Sequence, residues 1–441
     1  MRPVVAIALS EFVQRREQLL SKIGSGVAVF RSAPHAVMHN DVEYRYRQDS
    51  DFYYLTGLDE PESIAVLAPN HEHKFVLFVR PRDPAQETWV GYRLGVEGAK
   101  EKLGADAVFS IADLDKELPK LLETGDRLYY HLGRDRAFNE RMLQFYQQQL
   151  ALYPRRGYGP TGIADPGPLL HGLRQVKSPA EVEQLRQAIA IAVEAHDRAR
   201  AIAAPGVWEY EVEAAIEGCF RQRGAQGAAY PSIVATGANA CILHYIDNNQ
   251  QLQDGDLLLI DAGCSTGYYN SDLTRTFPVN GRFSDEQRAL YAIVLEAQKQ
   301  AIAAVQVGAP YGNFHEAAVR TLIEGLLDLG LLQGDPAELY ETGAYRPFYM
   351  HRTGHWLGLD VHDVGTYQYR DSWTTLAPGH VVTVEPGLYI SPTIAVAEGQ
   401  PEVPERWRGI GIRIEDDVLV QADGPEVLSA ALVKEIADLE S

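Results

Sequence analysis

Hydrophobic positions along this chain follow two rhythms. Short apolar runs at 63–67, 74–79, 257–260 and 381–384 have strand length and many branched side chains, whereas apolar stripes at three- and four-residue spacing mark helices. Up to Lys177 the two kinds alternate, with a helix-like stretch at 139–152, and this alternation predicts an α/β domain. The Gly- and Pro-rich stretch 154–168 reads as a linker. At Ser178 a helix opens with a capping residue, Pro179 in the first turn and Glu181 reaching back. Val182, Leu185, Ile189 and Val193 give it a buried stripe. Further helices are predicted at 209–223, after Ser284 (with Gln287 closing a second capping box, and Leu290, Val294, Ala301 and Val305 buried) and at 314–329. They fall between strand hairpins, so 1–177 reads as an α/β domain and 178–441 as a larger α+β domain.

One pattern occurs twice. The apolar run 257–260 ends in Asp261 and Gly263, with Gly255 before it; the run 381–384 ends in Glu385 and Gly387, with Gly379 before it. Period-two alternation sets Leu257, Leu259 and Asp261 on one face, and Val381, Thr383 and Glu385 on one face. A carboxylate at the buried end of an apolar strand is costly without a compensating partner. Each copy is followed by a second strand-like stretch carrying another acid, Asp272 in 271–277 and Glu415 in 411–417. The repeat predicts a duplicated half-domain with a pseudo-twofold axis through the acids. Four such charges in one pocket cannot all stay ionised uncompensated, and two divalent cations would balance them.

Histidines strengthen the picture. His351, His355 and His362 lie within twelve residues of glycine-punctuated sequence between the two copies, and His244 precedes the first copy. One histidine among oxygen ligands favours a harder ion such as Mn²⁺ over structural zinc, and a two-metal site suits hydrolysis. Other groups read blandly. His71 and His73 belong to a polar turn, His380 to a strand start, and Cys264 to a small buried filler. The segment 41–57, dense in tyrosine and charge, reads as an interface.

Composition narrows the partners. With 40 basic against 60 acidic residues in 441, the formal charge of −20 argues against nucleic acid or an anionic membrane surface as the main partner. Three cysteines suit a reducing compartment. No run approaches the ~18 apolar residues of a membrane span. The apolar run 4–9 is too short for a signal-peptide core, so a cytoplasmic protein is expected.

The ordered set Asp261, Asp272, His355, Glu385 and Glu415 resembles the dinuclear site of the pita-bread metallopeptidases. The flanking blocks at 241–245, 260–263, 274–279, 355–365, 383–389 and 408–417, together with 46–57 near the N-terminus, resemble the aminopeptidase P family in particular. The resemblance implies a pita-bread catalytic domain behind a smaller N-terminal domain. It implies a metal-bridging hydroxide that attacks the bond before proline and so releases the N-terminal residue. Asp261 would chelate one of two Mn²⁺ ions, Asp272 and Glu415 would bridge, and His355 with Glu385 would hold the other, with Glu385 as proton shuttle. His362 and His244 would bind substrate and intermediate, and His351 would line the proline pocket. Arg413 shares a strand face with Glu415 and so would orient it, and Tyr389 would do the same for Asp272. A homo-oligomer, dimer or tetramer, is expected, and Trp89 resembles a tryptophan that in some oligomeric relatives reaches a neighbour's active site. Arg352 departs from the small residue usual after the first histidine and would strain a glycine-only backbone there. Prolidase, which cleaves only Xaa-Pro dipeptides, shares these ligands; a metal-free binding module would have lost them.

Overall fold

The computed structural model describes residues 7–440, so half of the apolar run 4–9, residues 4–6, lies outside it. Two units of structure divide between Arg174 and Gln175.

In the first unit, Leu9–Ile23 forms helix α1. A mixed six-stranded sheet follows, built from β1 (Val27–Arg31), β2 (Ile64–Leu67), β3 (Phe75–Val79), β4 (Ala107–Ser110), β5 (Leu128–Tyr129) and β6 (Ile163–Ala164), in the order β4-β3-β2-β1-β5-β6. β1 to β3 pair antiparallel, and β4, β5 and β6 join parallel to their neighbours. Val29, Val66, Val76 and Phe78 are buried in one cluster with Leu118, Leu122, Met142 and Phe145.

The stretch 154–168 is not a linker. Pro154 lies in the last turn of the helix Arg136–Arg156, and Ile163–Ala164 becomes the sheet's edge strand. The segment 41–57 divides: 41–45 is exposed, whereas Ser50–Thr56 is a helix capped by Asp49 whose Asp51, Phe52, Tyr54 and Leu55 are buried. Its second half is therefore core.

The second unit begins with helix α2 (Pro179–Ile202), its Ser178 and Glu181 forming the expected capping box, and α3 (Glu209–Gln222) packs beside it. Strands β7 (Ile233–Thr236), β8 (Leu257–Asp261) and β9 (Thr274–Pro278) form an antiparallel sheet. Helices α4 (Asp285–Ala304), capped by Ser284, and α5 (Gly312–Asp328) separate it from the second copy. There β10 (Val381–Val384) pairs antiparallel with β13 (Asp416–Gln421), and β11 (Gly387–Ile390) with β12 (Ile410–Arg413). The duplicated apolar runs thus become corresponding strands, each closed by a glycine that must be small. A Cβ on Gly263 would lie 1.8 Å from the Ser271 carbonyl oxygen, and one on Gly387 2.7 Å from that of Ile412.

Candidate metal centre

The acids sit at strand ends rather than within strands. Asp261 is the last residue of β8 and pairs with Thr274, which brings Asp272, just before β9, alongside it. Glu385 follows β10 directly. Glu415 occupies the break between β12 and β13, where its N–H donates to the Thr274 carbonyl (3.0 Å) and its carboxylate accepts from the Thr274 hydroxyl (2.6 Å). His355 is strapped to β10: its N–H donates to the Thr383 hydroxyl (3.1 Å) and its carbonyl accepts from the Thr383 N–H (3.0 Å).

These side chains converge. His355 Nε2 lies 3.2 Å from Asp272 Oδ2 and 3.7 Å from Glu385 Oε1, and ligand atoms of Asp272, His355 and Glu415 all fall within 4.8 Å of one another. The Tyr230 hydroxyl lies 2.7 Å from Asp261 Oδ1 and 2.5 Å from Asp272 Oδ1, although it has one proton to donate. Arg413 Nη2 donates to Asp261 Oδ2 at 2.6 Å.

The electrostatics are those of an anion cluster short of positive charge. Burial raises the pKa of Asp261 and Glu415, Glu385 is pushed up to about 7 by burial and then by the Asp272 charge, and Asp417 beside them is raised well above its usual range. Burial would lower His355, but Asp272 and Glu385 overcome it and push it up to about 9. Asp417 Oδ1 is buried without a hydrogen-bond partner. Four converging carboxylates and one imidazole are the donor set of hard divalent cations, and the residues fit that role.

The other expected residues surround this centre. His362 meets the His355 ring edge-on at 4.4 Å, and burial lowers its pKa. His351 is lowered to about 3 by burial and then by Arg413, and its Nε2 lies 2.8 Å from the Tyr389 hydroxyl. His244 is exposed, close enough for its charge to act on both His351 and His362.

Two expected partnerships differ. Arg413 bonds Asp261 directly and reaches Glu415 only through Thr274, to whose hydroxyl its Nε donates at 3.1 Å, because the chain breaks strand parity after Arg413. Tyr389 serves His351 and Arg413, whereas the hydroxyl on Asp272 is Tyr230. Arg352 is not among the residues with positive φ, so it causes no backbone strain, and its guanidinium sits 5.4 Å from the Trp373 ring centroid. Sequence reasoning missed Tyr230, Thr274 and Asp417: lone hydroxyls carry no spacing signal, and Asp417 is the last of three consecutive acids, 415–417, of which only Glu415 matches the resemblance.

A second cluster lies in the first unit, where Asp51 meets His131 (3.2 Å) and His171 (3.4 Å). Arg174 at 2.7 Å and Arg134 at 3.3 Å already balance that carboxylate, so it reads as a buried ion-pair hub.

Residues 183–422 match metallopeptidase family M24, and residues 12–129 match the aminopeptidase P N-terminal domain. The chain belongs to the M24 metallopeptidases. Within them it is an aminopeptidase P. It is 42% identical to the Xaa-Pro aminopeptidase of Escherichia coli, over 99% of this chain and 98% of that one, and 36% identical to human Xaa-Pro aminopeptidase 3, over 98% and 85%. The aminopeptidase PepP structure from Pseudomonas aeruginosa superposes with a TM-score of 0.94 at 46% identity, covering 99% of this chain and 98% of that chain. A zinc-substituted Escherichia coli aminopeptidase P in complex with product superposes with a TM-score of 0.93 at 41% identity, with coverage of 99% and 98%. This aminopeptidase P therefore has the α+β pita-bread catalytic fold behind its N-terminal domain, and it is a metal-dependent hydrolase. No described helix is long and apolar enough to cross a membrane.

Proposed function

We propose that this aminopeptidase P removes the N-terminal residue from peptides with proline second, using two Mn²⁺ ions held by Asp261, Asp272, His355, Glu385 and Glu415. The observation that carries the reading is the convergence of four carboxylates and one imidazole with too little positive charge among them. When bound, the ions would polarise the scissile carbonyl and make water nucleophilic near neutral pH. The protein's own groups do the rest. Glu385 takes the proton from the attacking water and returns it to the departing proline nitrogen, a task suited to a carboxylate that burial raises. His362 and His244 donate to the substrate and to the tetrahedral oxygen. His351, kept neutral by burial, borders the proline site. Arg413 fixes the rotamer of Asp261 through its 2.6 Å bond.

A homo-oligomer, dimer or tetramer, suits the exposed Trp89 (85%), Val90 and Tyr92 of the first unit. A cytoplasmic setting suits three free cysteines. Assay of an Xaa-Pro-Xaa tripeptide beside an Xaa-Pro dipeptide tests the substrate class. Turnover of the tripeptide is expected, and turnover of the dipeptide alone would make the protein a prolidase.

A further inference from the structure

Lys177 and Asp363 form an ion pair inside the second unit. Nζ lies 3.0 Å from Oδ2, and each side chain is only 1% exposed. Lys177 is pinned on its other side, since its backbone N–H donates to the Gly379 carbonyl at 2.8 Å. The backbone at Gly358 lies over the pair so closely that a Cβ there would be 2.2 Å from Asp363 Oδ2 and 3.0 Å from Lys177 Cε. Desolvating two charges leaves a buried pair with little net stabilisation, so packing is a weak account of it.

The connections of Asp363 suggest a better one. Its N–H donates to the Trp356 carbonyl at 2.9 Å, and His355 Nδ1 lies 3.0 Å from that same oxygen. A carbonyl only accepts, so Nδ1 carries the proton and Nε2 is the atom turned toward Asp272. Asp363 also directly follows His362, whose ring packs on His355. A further pair of bonds holds the intervening loop: Asn270 Nδ2 donates to the carbonyls of Gly358 (3.3 Å) and Leu359 (2.8 Å).

We infer that Lys177 is a positioning residue for the metal centre: through Asp363 it fixes the Trp356 carbonyl, and through that carbonyl the tautomer and aim of His355. The inference rests on the assignment of His355 as a metal ligand. Lys177 touches neither substrate nor metal in this account; it sets the loop that does.

The test uses Lys177→Met and the double variant Lys177→Met/Asp363→Asn, in which no uncompensated charge is buried. Leu185→Ala, in the buried stripe of α2, supplies a control with a comparable fall in Tm. Mn²⁺ is titrated calorimetrically into each metal-stripped protein, and kcat is measured on an Xaa-Pro-Xaa peptide. The double variant is expected to lose roughly 10- to 100-fold in affinity at one of two Mn²⁺ sites, the other being spared, with a similar loss of kcat. The control should keep both affinities and kcat. A double variant whose two affinities stay within about threefold of wild type, despite a lower Tm, overturns the inference and leaves the pair purely structural. Failure of the wild-type protein itself to bind Mn²⁺ would instead overturn the ligand assignment beneath it.

Discussion

At the scale of single residues, the centre depends on partners that carry no charge of their own. The Tyr230 hydroxyl touches Asp261 and Asp272 together, and burial keeps that phenol neutral. Tyr230→Phe should therefore lower Mn²⁺ affinity or kcat by roughly 10- to 100-fold with little change in Tm, measured by calorimetry and peptide assay. Unchanged affinity and rate would show that the carboxylates hold their positions alone. The convergence of Asp261 and Glu385 was legible in the sequence because an acid at the end of an apolar strand is expensive, and it happens twice at the same spacing. Tyr230 and Thr274 were not, since a hydroxyl in an apolar setting is ordinary. The partner of Arg413 was misread for a geometric reason: strand parity was carried through 413–415, but Ile414 donates to Pro386 and Glu415 to Thr274, so the strand has already ended.

At the scale of elements, the two copies work by bringing strand ends together, and each closing glycine is a point of close approach. Gly263→Ala puts a methyl 1.8 Å from the Ser271 carbonyl oxygen, which forces the Asp261 and Asp272 strands apart. The expected result is a loss of about 3 kcal/mol or more by denaturant unfolding, together with loss of metal binding. By contrast, Ser284→Ala removes only the cap of α4, far along the chain from the ligands, and should cost about 1 kcal/mol while leaving kcat unchanged. Long helices with caps were readable to within a few residues, as at Ser178 and Ser284. The stretch 154–168 was not, because a two-residue edge strand such as Ile163–Ala164 is too short to show periodicity, and its Gly and Pro neighbours look like a connector.

At the scale of the whole molecule, the buried acids make the metal-free protein's stability depend on pH. A group whose pKa is raised in the folded state gives stability that is complete below its unfolded pKa and is lost as pH rises through the folded one. For Glu385, raised to about 7, that window opens near the ordinary carboxylate value of ~4.3. For His355, raised to about 9, loss continues from ~6.5 upward. The Tm of stripped protein should therefore fall between about pH 5 and pH 9 more steeply than that of Mn²⁺-loaded protein, because the ions favour the deprotonated ligands. Parallel curves would contradict the charge balance argued for the centre. The most direct measurement titrates Mn²⁺ into stripped protein while following release of the N-terminal residue from an Xaa-Pro-Xaa peptide. Two ions bound per chain, with turnover returning as they bind, is the predicted result. Full turnover by the stripped protein, or undiminished binding of both ions by Asp272→Asn, would contradict it.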